Sequence, residues 1–133
     1  MNIEIAYPPN IKKIRAAFDL HPGIVFTYGD TIYNPDGGAI GPALMAHEKT
    51  HAKQQGDDPE AWWDRYFIDP QWRSYQELAA YRKQFKEFKK NVHDREARHQ
   101  VLVKLAQDMA SPMYGNCVTF QHALKAIKHD KLF

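Results

Sequence analysis

Hydrophobic and polar positions follow an extended pattern near the N-terminus and a helical pattern over most of the remaining chain. Residues 3–7 alternate weakly between apolar and polar side chains, which predicts a short strand. Residues 23–29 and 31–35 are rich in β-branched and aromatic side chains and flank a tight turn predicted at Gly29-Asp30. The N-terminal part therefore predicts a small β-sheet or hairpin.

The helical segments begin at capping signals. Asn or Asp precedes several of them, Asn10 being the first, and proline occupies the first turn of three. A small sheet followed by many helices indicates an α+β fold that is mainly helical. With 133 residues, the chain is expected to form a single domain over residues 1–133. The segments predicted to be helical are 11–20, 42–55, 59–68, 70–90, 94–110 and 117–129.

The helix predicted at 42–55 contains the sequence His-Glu-Lys-Thr-His at residues 47–51. Positions four apart lie on one helix face, so His47 and His51 can both bind one zinc ion. Glu48 would then lie near the open coordination position, where it can act as a general base. The alternative is a solvent-facing helix with two incidental histidines. The apolar residues 43–46 before the motif favour a helix that is buried on one side.

Catalytic zinc usually has three protein ligands, so a third ligand is expected. Gly56 follows the motif, and the next residues, DDPEA, include no histidine that could serve as this ligand. Glu77 fits best, since small apolar neighbours at 78–80 would let its helix pack closely against 42–55. The alternative is that Glu77 is a structural carboxylate bonded to Arg82 or a tyrosine. The downstream side chains able to bind a metal include Asp64, Asp69, Glu77, Glu87, His93, Asp94, Glu96 and His99.

Two segments carry a family resemblance. HEKTHAKQQ at 47–55, followed by WWDRYFIDPQWRSYQELAAYR at 62–82, resembles the gluzincin metallopeptidases. More narrowly, HExxHxxQ, the Trp-Trp segment, E-x-x-A-Y-R and a Tyr-Gly-Asn turn resemble small metallopeptidases encoded by bacteriophages and prophages. The resemblance covers about residues 24–128. It implies a zincin-like (minigluzincin) domain with Zn²⁺ on His47, His51 and Glu77, and with Glu48 as the base.

Such chemistry also needs a hydrogen-bond donor for the oxyanion of the tetrahedral intermediate. Tyr114 is the candidate, because it lies in the predicted loop SPMYGN. Tyr81, one turn beyond Glu77, could instead brace that carboxylate. For both tyrosines, packing in the core is the alternative. The aromatic residues at 62, 63, 66, 67 and 72 are expected to lie in the core, and a platform for a ligand is the alternative. Gln54 is expected to support the histidines from their outer side.

The function expected from the motif is hydrolysis of a peptide or protein substrate by a zinc-dependent metallopeptidase. The substrate would add as a strand along a sheet edge near residues 24–33. The alternative is a non-catalytic zinc-binding or peptide-binding module on the same scaffold, with a phage structural or regulatory role.

Charge, apolar segments and cysteine content limit the kinds of partner and the compartment expected for the protein. The net charge is +2 with neutral histidines and no basic block is present, so nucleic acid is not expected as a partner. No segment has the length and apolarity of a membrane span, and the N-terminus lacks the features of a signal peptide, so a cytoplasmic protein is expected. Cys117, the only cysteine, cannot form an internal disulfide and is expected to be a small buried hydrophobe.

Overall fold

The computed structural model describes residues 1–129, and the order of its elements confirms the α+β class and the mainly helical content. The helices predicted at 42–55 and 59–68 have the predicted bounds. The elements are β1 (Asn2–Glu4), α1 (Ile11–Ala17), β2 (Phe26–Tyr28), β3 (Thr31–Tyr33), α2 (Pro42–Gln55), α3 (Pro59–Ile68), α4 (Pro70–Asn91), α5 (Arg95–Met109), a 3₁₀ turn at Pro112–Tyr114, and α6 (Phe120–His129).

The three strands form one sheet in the order β1-β3-β2. β1 pairs with β3 in parallel, and β2 pairs with β3 in an antiparallel hairpin whose turn is Gly29-Asp30, as predicted. Gly29 has a φ of +64°, a backbone conformation that glycine adopts without strain. β3 is therefore the central strand, and β2 is the edge strand that contacts α2.

Several element ends differ from the sequence prediction. β1 stops at Glu4, α1 stops at Ala17, and α6 begins only at Phe120. Asn10 is the N-cap residue of α1, as predicted, but its backbone is not extended and its side chain makes no capping hydrogen bond. An aspartate side chain accepts a backbone N–H at the start of three helices: Asp58 for α3, Asp69 for α4 and Asp94 for α5.

Two hydrophobic clusters make up the core. One joins α4, α5 and α6 around Leu78, Leu102 and Met109. The other joins α1, β2 and α3 around Ile14, Phe26 and the aromatic residues 62, 63 and 66, which confirms their placement in the core. Helix α4 contributes to the first cluster and packs along α2, so the polar face of α2 lies between the two clusters. Within residues 1–129 no helix has the length and apolarity needed to span a membrane.

Candidate metal centre

The inward face of α2 presents three ionisable side chains. His47, Glu48 and His51 are all buried, although each is polar. Their helix starts with Pro42 in the first turn and ends at Gly56, whose φ of +57° breaks the helical geometry. Burying an ionisable side chain costs free energy unless the side chain has a hydrogen-bonding or charged partner. The residues that contact His47, Glu48 and His51 therefore indicate what this face does.

Glu77 on α4 meets both histidines. Its Oε1 lies 3.3 Å from His47 Nε2, and its Oε2 lies 3.2 Å from His51 Nε2. The two Nε2 atoms are 3.1 Å apart. One ligand atom from each residue falls within 4.8 Å of the others, and this is the only such group of metal-binding side chains among residues 1–129. The structure thus places together the three residues predicted as ligands.

The donor set fits a metal ion. Ligand atoms about 2.1 Å from a tetrahedral ion lie about 3.4 Å from one another, close to the separations of the Nε2 and carboxylate atoms here. Two imidazoles and one carboxylate suit zinc, and other borderline divalent ions accept the same ligands. The structure therefore supports a metal-binding group of His47, His51 and Glu77.

The outer nitrogen of each histidine is also bonded. His47 Nδ1 lies 2.9 Å from Gln84 Oε1, and His51 Nδ1 lies 2.9 Å from Gln54 Oε1. Gln54 in turn donates to the backbone oxygen of Gln76 at 3.0 Å. An amide oxygen accepts a hydrogen bond from Nδ1–H, and in the neutral imidazole this leaves the Nε2 lone pair free to bind a metal. Gln54 therefore lies in the supporting position that was predicted for it.

Two supporting residues were missed from the sequence. Gln84 lies two turns beyond Glu77 on α4, a spacing that indicates the same helix face. Tyr66 on α3 donates its hydroxyl to Glu77 Oε2 at 2.7 Å. The expectation that Tyr81 could brace Glu77 is wrong, because the Tyr81 hydroxyl bonds to that of Tyr114 at 2.8 Å.

Glu48 lies beside the metal-binding group but is not part of it. Its nearest carboxylate oxygen is 4.0 Å from His47 Nε2. Burial raises the pKa of Glu48, and the charge of Glu77 adds to this, while the two histidines act in the opposite direction. A carboxylate with a raised pKa is a better proton acceptor, as a general base requires.

The charges of His51 and Glu77 stabilise each other. Burial by itself lowers the pKa of His51, but the carboxylate of Glu77 more than offsets this and raises the pKa to about 9. Burial likewise raises the pKa of Glu77, yet the charge and hydrogen bonds of the histidines bring it well below its usual range. Without a metal, the two groups therefore form a buried ion pair at neutral pH.

Three tyrosine hydroxyls surround this pair. Burial, followed by the charge of Glu77, raises the pKa of Tyr66, Tyr81 and Tyr114 well above the ordinary value. All three therefore stay protonated and able to donate. The ring of Tyr81 packs edge-on against His47 with centroids 4.6 Å apart, and Tyr114 contributes to the wall of the same cavity.

A buried arginine fixes the segment that carries Tyr114. Arg73 is only 4% exposed. It donates to the backbone oxygens of Tyr66 at 2.7 Å, Phe67 at 3.1 Å and Tyr114 at 2.8 Å. Cys117 was expected to be buried, but it is half-buried. Its thiol donates to the same backbone oxygen of Tyr114 at 2.7 Å. Arg73 thus connects α3 and α4 to the 3₁₀ turn.

The other candidates for the third ligand lie elsewhere. Asp64 forms an exposed ion pair with Lys13 at 3.4 Å, while Asp69 and Asp94 cap helices. The remaining candidates are exposed or half-buried on α4, on α5 and between them: Glu87, His93, Glu96 and His99.

The metal-binding group opens into a cavity of about 320 Å³, within the range of small-molecule and peptide pockets. Residues from α1, β2, α3, α5 and the 3₁₀ turn contribute to its wall. A buried acid–base group at the base of such a cavity is a candidate active site. Comparison of the chain with protein-family models, curated proteins and solved structures finds no match, so its function has to be inferred from the site itself.

Proposed function

We propose that the protein is a zinc-dependent metallopeptidase of the gluzincin type with a zincin-like fold. The observation that carries this proposal is the meeting of Glu77 with both Nε2 atoms while Glu48 stays beside them, outside the metal-binding group. Three ligands and one free carboxylate are what metal-assisted hydrolysis requires.

Each residue has a defined task. His47, His51 and Glu77 bind the ion, and Gln84 and Gln54 orient the two imidazoles. A bound zinc ion supplies a Lewis acid that lowers the pKa of a water molecule and polarises a carbonyl. Each of the three ligands and each of the two glutamines thus has a role in the proposed mechanism.

Glu48 moves the proton. Its carboxylate takes a proton from the attacking water and delivers it to the nitrogen of the leaving amine. Because burial raises the pKa of Glu48, the protonated form that follows the first transfer is stabilised. The hydroxyl of Tyr114, which stays protonated and is bonded to that of Tyr81 at the wall of the cavity, is the donor proposed for the oxyanion.

The substrate would lie along β2. The backbone oxygen of Thr27 is already bonded to Gln55 Nε2 at 2.8 Å and to Trp63 Nε1 at 3.0 Å. A peptide pairing with this edge would therefore use residues 24–26, which line the same cavity as the metal-binding group.

The alternative is a metal-binding module without catalysis, and the burial of all three ligands favours it to some degree. Structural sites are closed by a fourth protein ligand. Among the described residues no fourth His, Cys, Asp or Glu joins the group, which favours the catalytic proposal.

The test uses three variants. Glu48→Gln is expected to keep stoichiometric zinc and to lose hydrolysis of a broad peptide mixture, followed by mass spectrometry. Glu77→Gln is expected to lose zinc as well. Glu87→Gln, which removes only a surface ion pair with Lys90, serves as the matched control. Unchanged cleavage by Glu48→Gln, or full zinc retention by Glu77→Gln, would contradict the proposal.

A further inference from the structure

A groove lies between α2 and α4 on the side that faces away from the metal-binding group. On α2, Lys49 and Lys53 each lie two residues after a metal-binding histidine, which is a rotation of roughly 200° around the helix. We call this feature the lysine groove, and its volume is about 290 Å³. The charged residues that line it are Lys49, Lys53, Lys83, Lys86, Glu87 and Lys90.

The lysines of the groove form two helical stripes that lie side by side. Those of α2 are four residues apart, and those of α4 occupy positions 83, 86 and 90, so each set follows one face of its helix. All five lysines are exposed. Because α2 packs along α4, two segments that are distant in sequence meet in one basic surface.

The charge of the groove is not balanced. Lys90 forms an ion pair with Glu87 at 2.9 Å, and the other four lysines form no ion pair with any of residues 1–129. Five lysines and one glutamate give the groove a net charge of +4, whereas the whole chain carries +2 and the rest of it therefore −2. Like charges four residues apart destabilise a helix slightly, so the lysines do not stabilise their own helices.

We propose that the lysine groove binds an acidic peptide segment of a partner protein in an extended conformation. From Lys83 to Lys90 the helix rises by about 10 Å, a length that an extended chain covers with about three residues. Consecutive Asp or Glu carboxylates would complement the charge of the groove. The proposal goes beyond the peptidase function and requires no bound metal.

The lining of the groove favours a peptide over other polyanions. Among the lining residues that the structure describes, none is aromatic and none is an arginine. Proteins that bind single-stranded nucleic acids stack the bases on aromatic rings and also use arginine, and arginine is likewise preferred for bidentate binding of phosphate. Ala46 is the only apolar residue in this lining, whereas helices that lie on a membrane present large apolar side chains.

A labelled hexaglutamate peptide tests the proposal. It is titrated with the metal-free protein, and binding is followed by fluorescence anisotropy. At low ionic strength the peptide is expected to bind, whereas a hexapeptide of alternating glycine and serine is not. Because salt screens the attraction between exposed charges, the affinity should fall at least about tenfold between about 20 and 300 mM salt.

Two double variants with the same net charge locate the binding surface. Lys53→Gln combined with Lys86→Gln removes one charge from each side of the groove and is expected to weaken binding at least about fivefold. Lys12→Gln combined with Lys125→Gln removes two exposed lysines outside the groove, and the affinity should stay within about twofold of the parent. Glutamine forms helices about as well as lysine, so both proteins should fold. Equal losses in the two would overturn the proposal, because net charge alone would then attract the peptide.

Other occupants of the groove would give different results, and each of these overturns the proposal. A thymidine hexanucleotide, or vesicles containing phosphatidylserine, would have to bind more tightly than hexaglutamate and lose affinity in the groove variant. A second copy of the chain would appear as oligomers in sedimentation that dissociate in the same variant. Absence of peptide binding at low salt is equally contrary. None of these measurements involves zinc or hydrolysis, so their outcome is independent of the tests of the metallopeptidase.

Discussion

The hydroxyl of Tyr66 donates a 2.7 Å hydrogen bond to Oε2 of Glu77, so a residue of α3 fixes a carboxylate carried by α4. The same carboxylate contacts the histidines of α2. Three helices are therefore connected at one pair of oxygen atoms. A ligand held this way loses little freedom when it binds a metal, which strengthens binding.

Replacing Tyr66 by Phe should weaken this support without changing the packing of the ring. We expect zinc affinity to fall about tenfold to a hundredfold, as measured by competition with a chromophoric chelator. Tyr7→Phe removes a hydroxyl from an exposed ring and should leave the affinity unchanged. An unchanged affinity in Tyr66→Phe would show that α4 alone positions Glu77.

The features of the site that depend on one segment of the chain could be predicted from the sequence. The spacing of His47 and His51, the bounds of α2 and the small neighbours of Glu77 are all properties of one segment at a time. The N-cap position of Asn10 was also predicted, but its capping hydrogen bond is absent, because a capping residue type does not determine its own backbone conformation.

The contacts made by Tyr66 and Arg73 could not be predicted in the same way. Each depends on the angle at which α3 meets α4 and on where the turn near Tyr114 returns to them. The sequence predicts only that an aromatic residue such as Tyr66 packs in the core. That its hydroxyl donates to Glu77 depends on where the fold places Glu77. The roles of Tyr66 and Arg73 therefore remained hidden, because they are set by tertiary contacts, whereas the spacing of Gln84 from Glu77 on α4 was a signal that could have been used.

Arg73 should be important for stability as well as for the position of Tyr114. Arg73→Met removes a buried guanidinium that bonds three backbone oxygens, and we expect a loss of about 3 kcal/mol in the free energy of unfolding. Arg73→Lys should restore little, because an ammonium lacks the planar fork that reaches several oxygens. The measurement is urea unfolding followed by circular dichroism.

Arg65→Met provides the matched control. Arg65 is an exposed residue whose ion pair with Asp69 spans 3.4 Å. Its replacement should cost less than about 1 kcal/mol. Similar losses for Arg65→Met and Arg73→Met would contradict a special role for the buried arginine.

The ion pair of His51 and Glu77 predicts how the stability of the metal-free protein depends on pH. The pKa of His51 is raised from 6.5 to about 9, so its contribution is complete below pH 6.5 and is lost as the pH rises through about 9. The pKa of Glu77 is lowered from 4.5, so its contribution is complete above pH 4.5 and is lost as the pH falls below it. The pair should therefore stabilise the fold most strongly between pH 4.5 and pH 6.5.

The measurement is the free energy of unfolding from pH 4 to about 10 in the presence of a chelator, for the parent and for Glu77→Gln. The difference between the two proteins should be largest between pH 4.5 and 6.5 and should shrink towards about pH 10, because His51 then loses its proton and the parent loses the ion pair. A difference that stays constant over this range would mean that Glu77 stabilises the fold through neutral hydrogen bonds, and that His51 carries no proton before a metal binds.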